Sequence, residues 1–195
     1  MSVVDNGTIG PDAFTSQAPG IRRLQVDEGE AAFFEGREYR ISKKFVIGAT
    51  PLVIRFQCPR GFTLYDQHLS LDSGAIEYTA WRSTQGTAGG SFSAPVPQWA
   101  QKSNEETPDF TNPIVVDTGG TFTPTPGVEP VETVRLFVNA SGAGPGTGRG
   151  TVGSEGVKER GLAAGTYYLK IERMPDVSVD SIGVLSLVYA ADRTG

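Results

Sequence analysis

In Phe62-Thr63-Leu64-Tyr65-Asp66-Gln67-His68-Leu69-Ser70-Leu71-Asp72-Ser73-Gly74-Ala75-Ile76-Glu77-Tyr78-Thr79-Ala80-Trp81-Arg82, apolar residues alternate with polar ones on both sides of Asp72-Ser73-Gly74. Leu69 and Leu71 fall on one face before that tripeptide, and Ile76, Tyr78 and Ala80 share one face after it. Alternation with a period of two marks a half-buried strand. Asp and Gly accept the positive φ of a tight turn, so the stretch predicts a β-hairpin running on past Gly89-Gly90 to Ser93. The turn lacks the favoured Asn-Gly or Asp-Gly pair. The same stretch holds the only histidine of the chain, His68, and one of its two tryptophans, Trp81.

The pattern extends outward on both sides. Upstream, Leu52, Ile54, Phe56 and Cys58 alternate against Val53, Arg55 and Gln57, placing the lone cysteine on an apolar face. Tyr39, Ile41 and Lys43 share another face, and strands are expected to begin at Leu24-Gln25-Val26 and Ala31-Ala32-Phe33-Phe34. Downstream, Thr133–Val138, Thr166–Glu172 and Gly183–Tyr189 read as strands, with shorter ones at Pro113–Asp117 and Gly120–Thr123. About eight to ten strands and no helix predict an all-β fold, an antiparallel β-sandwich or jelly roll. Residues 1–24 lack a periodic face and read as an extended N-terminal arm or a tail; residues 25–195 read as one sandwich domain. Between about 94 and 130, seven prolines interrupt the chain, which predicts loop or edge structure of unusual length.

Composition supports a globular chain: 38% hydrophobic and 20% charged residues, with 25 Gly and 13 Pro favouring short strands over helices. The net charge of −5 argues against phosphate-held nucleic acid, and Arg22-Arg23 and Lys43-Lys44 are the longest basic runs. No apolar run approaches a membrane span, and residues 1–7 lack the basic and apolar regions of a secretory signal. One cysteine excludes an intrachain disulfide.

Candidate chemistry is sparse. Seven glycines among residues 142–156 invite a phosphate-loop reading, but no Gly-Lys-Ser/Thr follows and Pro145 interrupts the run. One His and one Cys are too few for a zinc site; a carboxylate Ca²⁺ site would have to use Asp66 and Asp72 or Glu105-Glu106. A Cys58–His68 nucleophile–base pair is within reach of a strand-turn-strand, yet nothing requires it. Trp81, Trp99, Tyr65 and Tyr78 offer either core residues or an aromatic platform for sugar. No catalytic residue, cofactor or metal ligand is therefore assigned. Apolar Ile9, Phe14, Ile21, Trp99 and Phe110 lie in irregular stretches and are the candidate subunit contacts.

Four segments, taken in order, resemble a group of small structural proteins of tailed-bacteriophage virions: Glu35–Arg40, Leu69–Gly74, Gly89–Ser93 and Glu159–Tyr168. The resemblance covers roughly Glu28 to Tyr189. It implies a non-enzymatic β-sandwich building block of the virion, assembled in the host cytoplasm. The particular expectation is a capsid decoration (cement) protein, or else a tail or fibre component with carbohydrate-binding activity. It carries no catalytic motif. The expected partners are copies of the chain itself, as a trimer, and a phage major capsid protein, with neither nucleic acid nor membrane.

Overall fold

The computed structural model describes residues 32–101, 112–138, 150–153 and 160–191, with the backbone alone for 150–153 and residue 160. Among the described residues it forms fourteen strands: β1 (Glu38–Ile47), β2 (Leu52–Cys58), β3 (Phe62–Ser73), β4 (Ala75–Arg82), β5 (Gly86–Gly89), β6 (Ala94–Pro95), β7 (Trp99–Ala100), β8 (Val115–Thr118), β9 (Thr121–Pro124), β10 (Glu132–Phe137), β11 (Gly150–Gly153), β12 (Arg160–Leu162), β13 (Gly165–Arg173) and β14 (Ser181–Ala191). All their pairings are antiparallel.

Two sheets face each other. The first runs β1–β14–β3, with β11 and β12 sharing the far edge of β3; the second runs β2–β13–β4–β10. Taking β11 and β12 as one position, this is the eight-position order of a jelly roll, the all-β sandwich that the alternating pattern predicts. The core between the sheets is built from the inward positions of those runs. Tyr39 and Ile41 of β1, Ile54 of β2, Leu71 of β3, Ile76 of β4, Ile171 of β13 and Leu185 and Tyr189 of β14 are all completely buried.

Beyond this roll the Pro-rich stretch supplies edges. β7 lengthens the first sheet beside β1, β8 and β6 lengthen the second beside β2, and β9 pairs with β5 in a separate ribbon. That ribbon covers part of the outer face of the second sheet. Val53, Trp81 and Tyr168, outward by alternation, are buried there with Phe122 against Phe92. Phe122 stacks on Tyr168 with centroids 4.5 Å apart.

Two expectations are corrected. β3 and β4 do not form a hairpin: β3 belongs to the first sheet and β4 to the second. The chain turns a corner at Gly74, whose φ of 85° does fit the positive angle that Asp-Ser-Gly suggested. The backbone groups there bond elsewhere. Ser181 Oγ accepts from Ala75 N at 3.1 Å and donates to Ala75 O at 3.0 Å, while Val138 N donates to Gly74 O at 3.0 Å. Second, Ala32–Phe34 is a helical turn, not a strand. Gly36, at φ 70°, donates to Phe33 O and Arg37 N donates to Ala32 O, the paired closure of a Schellman ending. The strand expected at Leu24–Val26 and the Gly-rich run before Gly150 lie outside the described residues.

β3 also holds two irregularities that periodicity does not reveal. Against β14 the register shifts at Tyr65 and at Asp72. Its inward positions therefore run Phe62, Leu64, then Gln67, Leu69 and Leu71.

Candidate interaction surface

The two groups weighed as a nucleophile–base pair lie apart. Cys58 points into the core from the second sheet and is 3% exposed. His68 stands between the inward residues Gln67 and Leu69 of the first sheet, so it projects from the opposite, outer face. In the ladder it faces Ser186, a neighbour that sequence spacing did not flag. The Ser186 hydroxyl donates to Ile41 O at 3.3 Å, so its proton is directed at the backbone and not at the imidazole.

Burial pushes the Cys58 thiol up to about 12. An unfolded cysteine ionises near 8.5. Between those values the unfolded chain releases a proton that the folded chain retains, so stability falls as pH rises. The expected slope from this group is about 1.4 kcal/mol per pH unit above roughly pH 9. Burial raises the Tyr189 phenol as well, which acts in the same direction at higher pH. Two results are expected: an alkylating reagent leaves the native thiol untouched at pH 8 but labels it in denaturant, and Cys58→Ala flattens the alkaline decline in unfolding free energy. Rapid native labelling would contradict the buried thiol.

The sugar-platform residues do not converge. Trp81 is 6% exposed beneath Phe122, and its indole N–H donates to Thr79 Oγ1 at 2.9 Å. Tyr78 is buried between the sheets. Trp99 is on β7, at the edge of the other sheet. Among the described residues no three His, Cys, Asp or Glu side chains are grouped to hold a metal, and no helix is long and apolar enough to cross a membrane.

What the fold does assemble is an edge. Trp99 pairs with Arg40 and Ala100 with Tyr39, so β7 covers only the start of β1. From Ile41 to Ile47 the outer side of β1 has no strand beside it among the described residues, and Lys43 and Lys44 sit there, as charges often do on edges open to unwanted pairing. Gln101 N donates to Glu38 O at 2.9 Å, and Arg37 Nη1 donates to Ala191 O. The chain next to residues 1–31, 102–111 and 192–195 is thus gathered at one end of the first sheet.

A partly buried polar network anchors that end. Tyr189 OH donates to Gln98 Oε1, which also accepts from Asn112 Nδ2 at 2.7 Å. Gln98 Nε2 donates to Ile114 O and Ile114 N to Asn112 Oδ1, so both stems of the 102–111 segment are tied to a core tyrosine. Around it Phe34 is 65% exposed, and Phe33 and Trp99 are each 37% exposed. Trp99 stands out in the sequence as an apolar residue in an irregular stretch; Phe33 and Phe34, in a run that reads as a strand, do not. Ile9, Phe14, Ile21 and Phe110 lie outside the described residues.

Compared with models of known protein families, with curated proteins and with solved structures, the chain has no match.

Proposed function

We propose that this chain is a bacteriophage virion structural protein, a capsid decoration protein that binds and stabilises the assembled head. The observation that carries the reading is the gathered end of the first sheet. Exposed Phe33, Phe34 and Trp99 stand where the chain leads into residues 1–31 and 102–111, the stretches that hold Ile9, Phe14, Ile21 and Phe110. Aromatic residues on a rigidly anchored edge are the kind of surface that buries well against a neighbour. The acidic balance and the resemblance to virion proteins support the same reading. Copies of the chain pack through this edge as a trimer, and the trimer seats on the major capsid protein. A protein that binds the assembled shell and not its parts stabilises the shell by mass action.

Sedimentation velocity of the full chain at micromolar concentration tests the edge. The wild type is expected to run as a trimer. Phe34→Asp with Trp99→Asp should shift it to monomer with an unchanged circular-dichroism spectrum, since neither side chain belongs to the buried core clusters. A monomeric wild type would remove the proposal that copies meet here.

A further inference from the structure

We propose that the space between the two sheets is a binding cavity for a compact nonpolar guest, a noble-gas atom or a short alkyl group. Its volume is about 80 Å³, and its walls include Phe62, Leu64, Ala80, Leu162, Leu169 and Leu187.

The cavity has a local cause. The bulge at Tyr65 separates the inward residues Leu64 and Gln67 by three positions instead of two, which thins the wall of the first sheet. On the facing sheet the inward residue Ala80 is too short to fill the gap. The lining also holds Gln67, Tyr78, Glu132, Tyr167 and Tyr189, and their polar groups have partners: Tyr167 OH donates to Ala163 O at 2.8 Å and Tyr189 OH to Gln98 Oε1. Tyr78 OH donates to Gln67 Oε1 at 3.4 Å, and Gln67 Nε2 donates to Glu132 Oε1 at 3.2 Å. A water needs two to four polar partners to be held, and an engineered apolar cavity of about 150 Å³ stays dry and takes benzene or xenon. A space about half that size with apolar walls suits a smaller guest. Val131, half exposed, lies on its lining beside Glu132 and gives a route inward from the surface.

Xenon is the direct probe. With full-length protein labelled at leucine and valine methyls, xenon pressure should give saturable shifts at Leu64, Leu162, Leu169 and Leu187, and none at Leu71. Ala80→Leu, which fills the space, should weaken that response at least tenfold. Should it fail to fold, Ala80→Val reads the same effect with a smaller addition. Unsaturable shifts spread equally to Leu71, or xenon binding retained in the folded filled variant, would overturn the proposal. So would a high-resolution crystal structure with hydrogen-bonded water in the cavity.

Discussion

Gly74→Val is expected to cost about 2–6 kcal/mol, a large fraction of the roughly 5–15 kcal/mol that keeps a typical domain folded. Two separate penalties add. A β-branched residue at φ 85° carries roughly 1–3 kcal/mol of backbone strain. A Cβ there would also lie 2.8 Å from Ser181 Cα and closer still to its hydroxyl oxygen. Overpacking against backbone adds roughly 1–3 kcal/mol more, because the obstructing atoms belong to the start of β14 and cannot swing aside. The same hydroxyl bonds both backbone groups of Ala75, so a shift of Ser181 that relieves the clash loses those two bonds. Urea titration followed by intrinsic fluorescence measures the loss. A variant within 1 kcal/mol of wild type would mean that the corner is not held as described.

Arg55→Ala has the second large effect, an expected loss of roughly 2–4 kcal/mol. Arg55 meets Asp117 with two bonds, Nε to Oδ1 at 2.8 Å and Nη2 to Oδ2 at 2.6 Å, and its guanidinium lies 4.6 Å from the Phe92 ring centroid. Removing one partner of a fully buried pair costs about 3–5 kcal/mol, because the remaining charge stays desolvated. The range here is set lower because the Arg55 side chain keeps 23% of its exposure, while Asp117 keeps 10%. The double variant Arg55→Leu, Asp117→Val should recover much of the loss, since no buried charge remains unpaired. If the double variant is as unstable as the single one, packing on Phe92 rather than the orphaned carboxylate is the cause.

The period-two runs made the sandwich legible, and Leu52–Cys58 and Thr166–Glu172 occupy central strands of one sheet. The partner of each strand was less legible. Asp72-Ser73-Gly74 carries the local signature of a turn, but the partners that hold the chain as it crosses to the other sheet, Ser181, Val138 and Met174, all lie more than sixty residues away. The same holds for the outer face of the second sheet. Val53 and Trp81 alternate as if solvent-facing, and only the distant Phe92 and Phe122 reveal that they are covered. The bulge at Tyr65 leaves no mark in composition, so the cavity could not be anticipated. Of the interaction surface, Trp99 was readable as an apolar residue in a Pro-rich stretch that no core strand could absorb. Phe33 and Phe34 were not, since two adjacent aromatics suit a strand as well as a capped helical turn.

The most direct test of the proposed decoration role is the rupture temperature of phage heads purified without this protein, measured before and after the full chain is added back. Saturable binding and a higher rupture temperature are predicted, with each copy contributing a few kcal/mol through its preference for the assembled shell. A chain lacking residues 1–20 should bind the heads more weakly while keeping its sandwich folded. Heads that rupture at the same temperature with and without the bound chain, or that do not bind it, would contradict the account.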